Sequence, residues 1–209
     1  EVAELVRFAH ARWESPKVQS EARRGHEDRA ASSTRRKSYF LVNLWEGLAV
    51  LDLAHPFTRF SLDEAILGAV AGYLGMWPRF RGWALEATVP MPAERDRFAS
   101  QKWHRDPEDQ KLVKVLLYLN DVDESAGPFT YVQYSHGGGR HRHIFAQEPP
   151  SGSPRLPPDV DWAIPEEDVR VCTGAVGTIV FCDTSGLHRG GFGRVRHRRP
   201  RLAPGAACG

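Results

Sequence analysis

His104-Arg105-Asp106 and a distant His188 offer two imidazoles and one carboxylate. That donor set suits a mononuclear non-haem Fe(II) centre. It occupies one face of the ion and leaves the other positions open for a cosubstrate and O2. In a strand, residues i and i+2 point to the same face. His104 and Asp106 can therefore converge on one ion while Arg105 points away. The third donor must arrive from another part of the chain, Gly186-Leu187-His188-Arg189-Gly190-Gly191. Oxygenase chemistry on such a centre needs a scaffold, an anchor for the cosubstrate and a pocket for a small-molecule substrate.

The scaffold is read from periodicity. Val2, Leu5, Val6, Ala9 and Trp13 recur at helical spacing and predict an amphipathic helix over 1–14. Residues 15–38 are polar and basic and read as a loop or partly disordered linker. Phe40 to Leu53 is apolar and suits a strand or strand pair. Ser61 with Glu64 three residues later has the capping-box pattern, opening a helix that ends near Leu74-Gly75. From Trp83 the pattern changes to short β-rich runs: Trp83–Val89, Phe98–His104, Leu112–Leu119, Phe129–Tyr134, Val169–Cys172 and Thr178–Cys182. Helices first and short strands after predict a mainly β fold, a sandwich or jelly roll with flanking helices.

A chain of 209 residues suffices for one domain with a core. The division expected is a helical and irregular support region over 1–81, a core over 82–199, and an irregular tail over 200–209. Residues 136–168 are rich in Gly, His and Pro and read as a lid insertion over the metal site. Pro200 and Pro204 with small residues between and after them argue against a central strand in the tail.

Composition excludes several classes. The net charge of +2 gives no reason to expect a nucleic-acid partner. No apolar run approaches the ~20 residues of a membrane span. Cys172, Cys182 and Cys208 have neither CxxC spacing nor an even count, and read as reduced thiols of a cytoplasmic protein. His104-Arg105-Asp106 also spells a kinase catalytic loop, but Lys111 stands where that motif needs asparagine. His136-Gly137-Gly138-Gly139 has the form of a lipase oxyanion loop, yet no GxSxG elbow accompanies it. Oligomeric state is not legible.

An ordered series surrounds the donors: Trp103 before the pair, Tyr118-Leu119-Asn120-Asp121-Val122, Ala126-Gly127-Pro128-Phe129, and Asp183-Thr184-Ser185-Gly186-Leu187-His188-Arg189-Gly190. Over roughly residues 83–199 this series resembles the phytanoyl-CoA dioxygenase family of Fe(II)/2-oxoglutarate oxygenases. Tyr131-Val132-Gln133-Tyr134-Ser135-His136 is similar to the family's segment ending in Gly-Ser-His, with Tyr134 in place of glycine. The resemblance implies a cupin-like double-stranded β-helix and assigns His104, Asp106 and His188 as iron ligands. It implies Fe(II), 2-oxoglutarate and O2 as the reacting partners, with succinate and CO2 as coproducts of hydroxylation. Asp106 fits a hydroxylase, because related halogenases lack the carboxylate there. The family pairs the far carboxylate of 2-oxoglutarate with an arginine about ten residues after the distal histidine. That points to Arg198 or Arg199, with Arg196 less well placed. A guanidinium matches a carboxylate bidentately. Tyr118 and Lys114 share a strand face and are further candidates for cosubstrate contact. The alternative from a different class is a non-catalytic metal- or ligand-binding jelly roll that has lost the cosubstrate site. The irregular tail motivates it.

Overall fold

The computed structural model describes residues 1–31, 40–45, 52–91, 96–146, 161–194 and 204–208. The α-helices of the described residues lie in the N-terminal part, two before the first strand and two after it: α1 (Val2–Trp13), α2 (Pro16–Ala31), α3 (Pro56–Ser61) and α4 (Glu64–Leu74). The strands are β1 (Leu41–Asn43), β2 (Trp83–Thr88), β3 (Val113–Leu117), β4 (Thr130–Val132), β5 (Val169–Val171), β6 (Ile179–Asp183), β7 (His188–Arg189) and β8 (Pro204–Cys208). They form a five-stranded sheet, β1-β2-β8-β3-β6, and a three-stranded sheet, β5-β4-β7. Every strand pairing is antiparallel.

The larger sheet and the helices share one core. Leu85 and Ala87 of β2, and Val115 and Leu117 of β3, alternate onto the same buried cluster. Leu5 and Ala9 of α1, Phe57 and Phe60 of α3, and Ile66 and Val70 of α4 close over them. Each such fully buried aliphatic or aromatic side chain contributes ~1.5–3 kcal/mol. Alternation turns Lys114 to the opposite face of β3, towards the second sheet. A smaller cluster of Trp103, Val132, Ile164 and Leu187 lies beside β4 and β7.

Several expectations change in detail. Residues 16–31 form α2 rather than a loop. The segment is rich in Lys, Gln, Glu, Arg and Ala, strong helix formers, behind Pro16 at the first helical position. Its periodicity is weak because few apolar residues punctuate it; Val18 is buried. Helix α4 is capped by Asp63, whose carboxylate accepts from Ala65 N at 2.9 Å. Ser61, the expected cap, ends α3 instead and donates its hydroxyl to the Phe57 carbonyl at 2.7 Å. The C-terminal end near Gly75 is as expected, in the left-handed region at φ 73°.

The run Phe98–His104 is not a strand. Ala99–Gln101 make a 3-10 turn, closed by Gln101 N donating to the Phe98 carbonyl at 3.0 Å. The expected irregular tail is also corrected. Residues 204–208 lie between β2 and β3, with Ala84 opposite Ala207 and Leu116 opposite Ala207 on the other side. Pro204 opens the strand, the one interior-sheet position where its missing N–H is tolerated. The small residues that follow still offer backbone donors and acceptors to two neighbours, which hydropathy does not register. No helix among the described residues is long and apolar enough to cross a membrane.

Candidate metal centre

The three donors meet where the two sheets adjoin. His188 lies in β7, and His104 pairs with it through an isolated antiparallel bridge. Asp106 N donates to the Thr184 carbonyl at 2.9 Å, just beyond the end of β6. Thr184 N in turn donates to the Leu112 carbonyl at 2.8 Å, just before β3. The tripeptide thus runs from the small sheet to the end of the large one. No regular strand carries it, yet Arg105 does face away from its neighbours.

One ligand atom from each of His104, Asp106 and His188 lies within 4.8 Å of the others. His188 Nε2 is 3.4 Å from Asp106 Oδ2, and His104 Nε2 is 3.9 Å from Asp106 Oδ1. At that spacing one ion, with bonds of about 2.1 Å, draws all three together. The Nδ1 atoms fix the tautomers. His104 Nδ1 is 2.8 Å from the Lys102 carbonyl and His188 Nδ1 is 2.9 Å from the Gly186 carbonyl. A carbonyl only accepts, so each Nδ1 carries the proton and each Nε2 presents a lone pair. The donor set therefore fits a divalent first-row metal such as Fe(II).

Charge at the site is set by burial and by one lysine. Burial, and then the adjacent His104, push the His188 imidazole down to about 3. Burial opposes ionisation of Asp106, but His188 and Lys114 outweigh it and hold the carboxyl below the usual range. Lys114 Nζ lies 2.5 Å from Asp106 Oδ2. Lys114 was a candidate for cosubstrate contact; in the structure its partner is the carboxylate.

The surrounding residues brace the donors. Trp103 and Arg189 flank the histidine pair, with the guanidinium 4.2 Å from the indole centroid. The Phe129 ring stands 5.5 Å from the His188 ring. Leu187 N donates to Ser135 Oγ at 2.7 Å, fixing the residue before His188. A Cβ at Gly186 would lie 2.0 Å from the Tyr131 hydroxyl, so no side chain fits at that position.

Arg105 is the residue that sequence reasoning left without a role. It is 4% exposed. Its guanidinium donates to the carbonyls of Ser185 at 2.6 Å and Ile144 at 2.7 Å, and also to those of Ser135 and Phe145. One buried fork thereby ties the 135–145 segment to the loop that carries His188. Burial lowers its pKa to about 10, which still leaves it charged near neutrality. No local sequence signal reveals this, because every acceptor is a backbone carbonyl.

Among the other candidates, Tyr118 is buried and its hydroxyl donates to the Cys172 carbonyl at the end of β5. Arg196, Arg198 and Arg199 lie outside the described residues, as do residues 147–160 of the expected lid. The described part, from His136 to Ala146, contributes to a cavity of about 760 Å³ together with Tyr73, Arg105, Gln110, Lys111 and Asp183. A second cavity of about 460 Å³ has Tyr131 of β4 and the flanking Phe129 and Gln133 along its wall, with Arg170, Val180 and Cys182. Tyr73, His136 and Asp183 border both.

No protein-family model matches the chain, and no curated protein matches it. Solved structures do. EctD from S. alaskensis in its apo form aligns over 99% of this chain and 66% of its own, at 15% identity and a TM-score of 0.53. The chain thus spans about two thirds of EctD and shares its fold. EctD with bound Fe aligns at a TM-score of 0.45, with 14% identity, over 92% of this chain and 67% of that one. AviO1 from Streptomyces viridochromogenes Tue57 aligns at a TM-score of 0.46 and 16% identity, over 92% and 82%.

Proposed function

We propose that this protein is an Fe(II)- and 2-oxoglutarate-dependent dioxygenase that hydroxylates a small organic molecule. The observation that carries this reading is the convergence of His104, Asp106 and His188 with both Nδ1 atoms committed to carbonyls. Fold similarity to EctD, which has been solved with bound Fe, supports it. In this reading the two sheets are the halves of a double-stranded β-helix, and the sequence relationship is to the phytanoyl-CoA dioxygenases.

When bound, iron and 2-oxoglutarate supply the activation of O2, releasing succinate and CO2. The chain supplies geometry. His104 and His188 hold neutral Nε2 donors in fixed orientation, and Asp106 brings the one negative charge. Arg198 or Arg199 pairs with the far carboxylate of 2-oxoglutarate. The cavity lined by Phe129 and Tyr131 gives the substrate a largely apolar space, and Phe129 in turn stands 5.5 Å from the His188 ring.

The test is succinate formation from 2-oxoglutarate by the Fe(II)-loaded protein in air, with His104→Ala as the control. Succinate that depends on iron and disappears in the variant is the expected outcome. Iron binding without any affinity for 2-oxoglutarate would instead favour the non-catalytic jelly roll.

A further inference from the structure

The 760 Å³ cavity has a charge pattern that the iron chemistry does not use. Arg105, Lys111 and Arg142 border it, against the single carboxylate of Asp183. That carboxylate is already engaged: Tyr73 Oη donates to Oδ2 at 2.5 Å and Ser185 N donates to Oδ1 at 3.0 Å. Arg105 spends its N–H groups on backbone carbonyls and, among the described residues, has only the charge of Asp183 against its own, so it adds positive charge to the cavity wall but no free donor. Lys111 Nζ donates to the Leu74 carbonyl at 3.3 Å and, among the described residues, pairs with no carboxylate. Among the described residues, no carboxylate pairs with the Arg142 guanidinium.

Two imidazoles, His136 and His143, add donors to the same wall. His136 Nδ1 accepts from Gly138 N at 3.2 Å, which places its proton on Nε2 as a free donor. Three cations and two ring donors, drawn from three separate segments around one hollow, suit an anion with several oxygens and more than one charge. A single carboxylate would leave most of them unmatched.

We infer that this cavity binds a phosphate-type oxyanion, and that it anchors the phosphorylated end of the substrate. The second half rests on the oxygenase reading; the binding itself does not. The geometry connects the two. Tyr73, His136 and Asp183 border both cavities, so a phosphate held in the larger one lies beside the apolar space that Phe129 and Tyr131 line.

Pyrophosphate is the probe, titrated calorimetrically into the metal-free full-length chain so that chelation of iron does not contribute. The expected result is saturable binding that weakens at least tenfold in the Lys111→Gln/Arg142→Gln double variant. Tricarballylate, an anion built of carboxylates, should bind at least tenfold more weakly than pyrophosphate. Both substituted residues are exposed, so the variant should retain its melting temperature, measured in parallel. Absence of saturable binding, binding indifferent to the substitutions, or equal affinity for tricarballylate would each overturn the proposal. Because no metal is present, these outcomes are separate from failure of the iron centre, which succinate formation reads.

Discussion

His104 and His188 exchange both of their backbone hydrogen bonds, each 2.9 Å long. The two imidazoles therefore share one rigid unit, with ring centroids 4.2 Å apart. The spacing of the nitrogen donors is set by main chain, not by the side-chain packing of a mobile loop. Asp106 joins through its own backbone bond to Thr184. A metal meeting this site finds it assembled, with Lys114 holding the carboxylate in its place.

Lys114 and a metal compete for Asp106. Lys114→Met leaves the buried carboxylate without its cation in the metal-free protein. A hydrogen bond to a charged group contributes ~1.5–3 kcal/mol, so the metal-free variant should unfold more easily by about that amount. Iron should restore most of the loss, and the variant should bind iron more tightly than the parent. Urea unfolding with and without Fe(II) checks this; an equal loss in both states would show that Lys114 acts elsewhere.

Arg105 should not be replaceable by lysine. Its planar fork reaches carbonyls of Ser135, Ser185, Ile144 and Phe145 at once, which a point charge cannot do. Each buried carbonyl left unmatched costs ~1–3 kcal/mol. Arg105→Lys should destabilise the fold by roughly 3 kcal/mol or more. A loss under about 0.5 kcal/mol, the ordinary range for an unimportant surface change, would contradict the stapling role.

Tyr134 stands where the resembled family has glycine, and its φ is 60°. The left-handed region costs an L-residue about 1–2 kcal/mol. Tyr134→Gly should consequently be more stable than Tyr134→Ala by about 1 kcal/mol, although glycine is the poorer residue in ordinary backbone. The comparison by chemical denaturation removes the Arg140 contact with the Tyr134 ring from both variants. Alanine equal to or better than glycine would mean that the backbone there is unstrained.

Much of this architecture is legible in the chain, for identifiable reasons. Helix α4 is legible at its C-terminal end from Gly75, although Asp63 and not Ser61 caps its start, and β2 to β6 are legible as short apolar runs between turns. The donors were legible because few side chains suit such a centre. Helix α2 was hidden because its stability comes from backbone propensity, with few apolar residues to mark a face. Strand β8 was hidden because it contributes backbone hydrogen bonds and almost no side-chain signal. Arg105 was hidden because its partners are carbonyls, which every residue has.

His55 should make stability depend on pH. It is packed among aromatic rings, 4.7 Å from Trp83 and 4.8 Å from Trp45 by centroid. Burial lowers its pKa below 6.5, the Asp52 charge opposing and Arg59 adding to the effect. A lowered pKa in the fold means that the unfolded chain takes up the proton first. The contribution is complete above pH 6.5 and is lost as pH falls towards the folded value. Melting temperature should therefore decline below pH 6.5 more steeply in the parent than in His55→Asn, which keeps a helix cap. Parallel profiles would remove His55 as the cause.

The most direct measurement on the centre is anaerobic titration of the Fe(II)-loaded protein with 2-oxoglutarate, following the weak visible charge-transfer band of the chelate. A saturable band that is absent in His104→Ala is the result expected of His104, Asp106 and His188 acting together on one ion. No band, with iron bound stoichiometrically, would contradict it and leave a metal-binding protein without a cosubstrate site.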